Sequence, residues 1–402
     1  MNRRTFLGLS GGTLGVALGG TELYRLLTSE DDAVRERRQV PTTTPTPTEE
    51  PSPTAETPPE ATPQSVETRT GRLLLGVTPE TRTGKRLTAL ERWQGKDNAV
   101  VGLFLDVGRS DGELLALGES VLTPIWDHGS VPHVIWQPFV AGQEDTPATV
   151  PQDIAAGRHD RLFERWASVF GRWCRPESGP ERRLYLNFAP EMNGDWVPWD
   201  TSAGGTTAAD YVAMYRRVHD IVMARGLTDE HVQWVWAVNH VGRSAEPLAA
   251  FYPGDDYVDW CGVHGYNFPK WGGWAPPEQI YGPTLDAVRA ITDNPVVVSE
   301  YGSSSVLDGT ADPTRKGRWI RDVFAYFEAS DVRMALWFNH EKETDWAVFG
   351  GSRGTETVRD GTTTYHAYRE YREAVASEDV LGSYSDHPRR LTTEEFHGDL
   401  GE

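Results

Sequence analysis

The chain has little lysine, almost no cysteine and no long apolar run, and each shortage excludes something. Five lysines (Lys85, Lys96, Lys270, Lys316 and Lys342) stand in 402 residues against 59 acidic ones, giving a net charge of −20. With no basic stripe, a nucleic-acid partner is excluded. Excess acid with scarce lysine fits a surface kept soluble by its own charge, and the expectation is a salt-adapted protein. The two cysteines, Cys174 and Cys261, fall in a predicted helix and a predicted strand, so no disulfide framework is implied. Buried thiols acting as small hydrophobes are expected instead. His128, His133, His240, His264 and His340 are scattered, with no pair at helical ligand spacing, so neither a metal nor a cofactor is expected. No G-x-S-x-G elbow is present, which leaves a serine hydrolase without support.

What is present begins with a leader. Asn2-Arg3-Arg4-Thr5-Phe6-Leu7 matches the twin-arginine pattern, and a Gly/Leu/Ala/Val stretch runs on to Gly20. That stretch is too short and glycine-rich for a membrane span. Residues 1–28 are therefore expected to direct export by the twin-arginine pathway, placing the protein outside the cell or tethered at its surface. Residues 29–71 are rich in Thr, Pro and Glu and carry too little apolar surface to offset ordering, so a disordered linker is expected.

From 72 to 376 strand and helix signals alternate. Strands are predicted at Leu73–Val77, Val100–Leu105, Val131–Gln137, Leu184–Ala189, Val232–Val238, Tyr257–Tyr266, Val296–Tyr301 and Arg333–Asn339. Helical patterns lie between them at Lys85–Trp93, Glu113–His128, Asp160–Cys174, Ala208–Arg225, Pro277–Ile291, Arg315–Ala329 and Thr364–Ala376. Only the connection after the fifth strand lacks a long helix. Eight such alternations predict an α/β fold of the (β/α)8 barrel type. A doubly wound open sheet is the competitor, but no Gly-rich phosphate loop follows the first strand. Residues 377–402 read as an acidic, loosely packed tail.

In a barrel, the carboxyl ends of the strands carry the chemistry. Glu191 follows the fourth strand in LYLNFAPEMNGDWVPWD, and Glu300 ends the seventh in PVVVSEYGSSS. Either one alone reads equally well as a capping group. Two across one mouth form the pair that glycoside hydrolysis needs, one protonating the leaving oxygen and the other attacking the anomeric carbon. Trp196 and Trp199 beside Glu191 predict apolar surroundings that disfavour its charge, making it the acid/base and Glu300 the nucleophile. Tyr266, ending the sixth strand, could hydrogen-bond Glu300. Asn193, Asn239, His240 and His264 are placed as hydrogen-bonding groups of the cleft. Trp271 and Trp274 in KWGGW are the expected sugar-stacking platform, and Trp337 in ALWFNHEKETDW the expected floor. Among these tryptophans and histidines, a plain core role stays open.

The segments APEMNGDWVPW (189–199), VWAVNH (235–240), VDWCGVHGYNF (258–268), PVVVSEYGSSS (295–305) and ALWFNHEKETDW (335–346) resemble glycoside hydrolase family 26. That family belongs to the large barrel clan with catalytic glutamates on strands four and seven. The resemblance implies a retaining, endo-acting β-glycanase with Glu191 as acid/base and Glu300 as nucleophile, and roles for Trp196, Tyr266 and Trp337 around the scissile sugar. The substrate would be a β-linked polysaccharide of the mannan, xylan or β-glucan class. Pro190 stands where mannan-cleaving members carry histidine, and Asn187 where they tend to carry arginine, which points away from mannan. A surface-tethered glycan-binding protein on a decayed barrel is the alternative, which retention of both glutamates disfavours; a transglycosylase is a weaker third reading.

Overall fold

The computed structural model describes residues 72–81, 84–202, 205–270, 274–384 and 387–401. The leader at 1–28, the linker at 29–71 and Trp271 lie outside the described residues. Eight parallel strands run in order: β1 (Leu73–Pro79), β2 (Val100–Asp106), β3 (Val131–Gln137), β4 (Leu184–Phe188), β5 (Val232–Asn239), β6 (Trp260–Asn267), β7 (Val296–Ser303) and β8 (Val332–Asn339). Each pairs with the next, and β8 returns to β1 from Leu74↔Met334 to Pro79↔Asn339. That last ladder closes the sheet into a (β/α)8 barrel and decides against an open one.

The strands are built for burial on two faces. Inward side chains fill a narrow lumen: a Cβ on Gly76 would stand 2.5 Å from Leu336 Cγ, so only glycine lets Leu336 in. Outward side chains seat the helices. Trp136 wedges against Phe163, Trp166 and Phe170 of α5 (Asp160–Cys174), with ring centroids 5.2 to 5.5 Å away. Longer helices α6 (Ala208–Met223), α7 (Pro277–Arg289) and α8 (Pro313–Ala329) complete the outer layer, preceded by α1 (Lys85–Gln94) and the short α4 (Val150–Ala155). After β5 there is only a 3₁₀ turn, Leu248–Phe251. Cys174 and Cys261 are both free and buried.

Three expectations are corrected. The helix expected over Glu113–His128 is α2 (Asp111–Leu117) and α3 (Thr123–His128), joined by a π turn at Gly118–Leu122. Pro124 has no N–H to give the carbonyl of Ser120, and the helix passes it by widening. The helix expected from Thr364 starts only at α9 (Arg369–Val375). Residues Thr363–Ala367 instead form a strand, antiparallel to Glu356–Asp360 across a two-residue turn at Gly361-Thr362, with Gly361 at φ 59°. The tail is not loose. Val380–Leu381 pairs with Leu73–Leu74, and Leu391 and Phe396 are wholly buried. Phe396, on α10 (Thr393–His397), stands 4.8 Å from the Tyr185 ring at the amino-terminal end of the barrel. Buried Arg183 donates to the carbonyls of Leu391 (3.1 Å) and Thr392 (2.8 Å) and ties the segment down.

Candidate active site

The site is assembled by neighbouring strand ends at one level. Asn239 on β5 pairs with His264 on β6, and His264 pairs with Glu300 on β7, after a register shift that brings the glutamate into line. Glu191 arrives differently. β4 stops at Phe188, and Ala189 and Glu191 adopt left-handed backbone at φ 48° and 62°. Such conformations cost of order 1–3 kcal/mol in a residue with a side chain and persist where the surroundings impose them. The Glu191 N–H donates to Ala237 O at 2.9 Å and the Tyr211 hydroxyl to Ala189 O at 3.1 Å, which hold the bend. A turn beyond the strand, not strand alternation, therefore aims Glu191 over the mouth.

The two glutamates meet at one imidazole. His264 Nδ1 lies 3.1 Å from Glu191 Oε1 and 3.6 Å from Glu300 Oε1. Glu191 also accepts from Asn239 Nδ2 (2.6 Å) and Trp196 Nε1 (2.5 Å), and Glu300 accepts from the Tyr266 hydroxyl (2.8 Å). Both carboxylates remain reachable: 19% of the Glu191 side chain and 10% of that of Glu300 face solvent, against 1% for His264.

These contacts set the charges. Burial pushes Glu191 up, but donation from His264, Asn239 and Trp196 outweighs it and holds the carboxyl down at about 2. This corrects the expected role of the tryptophans. Trp196 turns its N–H toward the carboxylate and favours its charge, while Trp199 is wholly buried, donates to Pro190 O and packs on Phe139. Glu300 moves the other way. Burial and the charge of Glu191 raise it, against the lowering pull of His264 and Tyr266. Burial alone would lower His264, yet Glu300 and Glu191 together raise it.

Other expected residues take supporting places. Asn193 has its amide engaged with the backbone N–H and carbonyl of Asn239, so it clamps two loops. Asn239 accepts from Val241 N–H while its amino group serves Glu191. His240 bonds the carbonyl of His264 through its backbone N–H at 2.9 Å. Trp274 is half-buried, donates to Ser304 O and carries the Arg315 guanidinium over its ring at 5.5 Å; no contact brings it to the carboxylates. Trp337 is not the floor. It points out of the barrel into Tyr301, Trp319 and Tyr371.

Phe338, one residue on, faces inward and meets Tyr266 edge-to-face at 5.8 Å. Trp346 packs on Tyr266 from another side at 5.0 Å, and sequence reasoning gave it no site role. Its loop is pinned by Lys316 on α8, wholly buried, whose ammonium donates to the carbonyls of Asp345, Trp346 and Ala347. Among the described residues no His, Cys, Asp and Glu cluster could hold a metal ion.

Residues 183–275 match the family model of glycosyl hydrolase family 26. Endoglucanase H of Acetivibrio thermocellus is 30% identical over 251 residues, 59% of this chain and 25% of that protein. A β-1,3-xylanase of a Vibrio species is 27% identical over 124 residues, 31% of this chain and 24% of that protein. The chain thus spans about a quarter of the length of these relatives. The fold is shared with the catalytic domain of an endo-β-1,4-mannanase from Bacillus sp. JAMB-750, at 19% identity and TM-score 0.59, covering 78% of this chain and 88% of that one. In its motif segment at residues 183–275 the chain is thus similar to glycosyl hydrolase family 26, and that segment carries Glu191 on a closed barrel where two glutamates converge at the strand ends.

Proposed function

We propose that this protein hydrolyses a β-linked polysaccharide from within the chain, with retention of configuration, Glu191 serving as acid/base and Glu300 as nucleophile. The observation that carries the proposal is the convergence of two reachable carboxylates, from separate strand ends, on one ring nitrogen. Carboxyls about 5–5.5 Å apart act by covalent displacement, whereas pairs roughly 6.5–9.5 Å apart leave room for a water. Two oxygens sharing one nitrogen as neighbour are closer than the two contacts laid end to end, which supports the shorter class. The Tyr266 hydroxyl favours an ionised Glu300, as a nucleophile requires. Trp196, half-buried beside Glu191, offers the cleft a flat apolar surface suited to a sugar ring, while buried Trp346 backs Tyr266 from behind.

The relatives named above act on different β-glycans, and Pro190 and Asn187 support a substrate other than mannan. The twin-arginine leader supports export, with the glycan met outside the cell. A panel of β-mannan, β-1,3-xylan, mixed-linkage β-glucan and xylan in high salt identifies the substrate. On it, Glu300→Ala and Glu191→Ala should each lose several powers of ten in turnover, beyond any effect of stability. Newly formed reducing ends followed by NMR should first appear as the β-anomer. An unmutated protein that binds a glycan but cleaves none would favour the tethered binder instead.

A further inference from the structure

Within the hydrolase reading, on which this inference rests, one group between the glutamates lacks a role. His264 is buried, contacts both carboxylates through Nδ1, and meets the Asn187 amide through Nε2 at 3.4 Å. The Asn187 oxygen has no hydrogen-bond partner among the described residues. The two ends of an amide exchange by a half-turn about its last bond. Its amino end suits a bare Nε2; its oxygen end accepts from Nε2–H. The second arrangement pairs that orphaned oxygen and leaves Nδ1 as the nitrogen that gains and loses a proton.

We infer that His264 stores the proton that Glu191 delivers to the leaving oxygen. In the free protein the ring carries both protons, with Nδ1–H on the Glu191 carboxylate and Nε2–H on Asn187. A sugar entering the cleft strips water from this ion pair, and a desolvated pair of opposite charges is disfavoured against its neutral form. The Nδ1–H bond then breaks and an O–H bond forms at Glu191 Oε1. Imidazolium and carboxylate become imidazole and carboxylic acid, with no proton drawn from solvent. Net charge is unchanged, and Glu300 stays ionised under the Tyr266 hydroxyl. Glu191 receives the proton because it holds the shorter contact.

The other titratable ring facing His264 does not compete. His133 on β3 is wholly buried, neither nitrogen has a partner among the described residues, and burial pushes it down to about 3. The resting charge of His264 agrees with its raised affinity for protons and with the depressed Glu191.

The test compares two leaving groups through kcat/KM, which reads the first bond cleavage. His264→Gln keeps an amide donor for Glu191 but has no proton to give. On the polysaccharide it should lose about 100-fold or more, the share general acid catalysis supplies. On the 2,4-dinitrophenyl β-glycoside of the released oligosaccharide, whose phenolate leaves unaided, it should lose less than about tenfold. Equal losses on both substrates overturn the inference, as does no loss on either. If the variant fails to fold, ¹⁵N NMR of the unmutated protein decides. Both ring nitrogens of His264 should be protonated at pH 6 in the free protein and one after glycan binds; a ring already neutral at pH 6 overturns the proposal. Absence of turnover by the unmutated protein on every glycan instead sinks the hydrolase reading, and the proton store with it.

Discussion

Tyr266 reaches Glu300 at 2.8 Å from a position fixed by three aromatic neighbours, Phe338, Trp346 and, through Trp346, Phe268. Its donation lowers the proton affinity of Glu300 against burial and the charge of Glu191, which raise it. Removing the hydroxyl in Tyr266→Phe leaves only the charges of His264 and Lys342 against the raising effects, so Glu300 must be titrated at higher pH before it can attack. The acidic limb of the kcat/KM profile should therefore move up in pH. A hydrogen bond to a charged group is worth about 1.5–3 kcal/mol, so the rate at the optimum should fall by about 10- to 100-fold. A profile unmoved on its acidic side would assign Tyr266 a packing role only. The residues of this contact were legible in the sequence, because strand ends and residue types identify Glu191, Glu300 and Tyr266 without knowledge of packing. Which way a tryptophan points was not. Trp337 and Phe338 are adjacent, and a one-residue error of phase exchanges the inner face for the outer one. The engagement of Asn193 with Asn239 depends on two loops meeting, for which neither segment carries a local signal.

At the scale of elements, the strands and long helices followed from periodicity, and the departures have local causes. The segment from Thr364 has a helical pattern, but the Gly361-Thr362 turn just before it is a strong hairpin signal and decides for a strand. The last segment is polar in composition, and its few apolar residues, Leu391 and Phe396 among them, are the ones that insert. Phe396 lies against Tyr185, under the Arg183 guanidinium at 4.8 Å, while its carbonyl accepts from Trp260 Nε1 at 3.3 Å. The tail thus stoppers the barrel beneath the site. Phe396→Ala should cost about 3–5 kcal/mol, as for other buried phenylalanines cut to alanine. Guanidinium titration should show a lower midpoint with an unchanged slope. A loss under about 0.5 kcal/mol, the level of ordinary surface substitutions, would mean that the segment rests on the barrel without supporting it.

For the whole molecule the governing quantity is charge: 59 acidic residues against 39 basic, with net −20. Exposed ion pairs such as Arg321–Glu373 at 3.0 Å offset part of the repulsion, but such pairs are individually worth little. Salt weakens both terms, and the sign of the outcome depends on which is larger. With acid in excess, repulsion is larger, so screening should stabilise the fold. The screening length falls from about 10 Å at 0.1 M to about 3 Å at 1 M. Tm should therefore rise over that range and then level off, because little repulsion remains to be screened. Exclusion of salt from the protein surface would also raise Tm, but it keeps growing with concentration. A plateau near 1 M NaCl separates the two causes. A variant with surface Asp and Glu exchanged for Asn and Gln should begin with a higher Tm and gain less from salt. If Tm instead falls as salt is added, ion pairs govern the surface, and the acidic composition is no adaptation to brine.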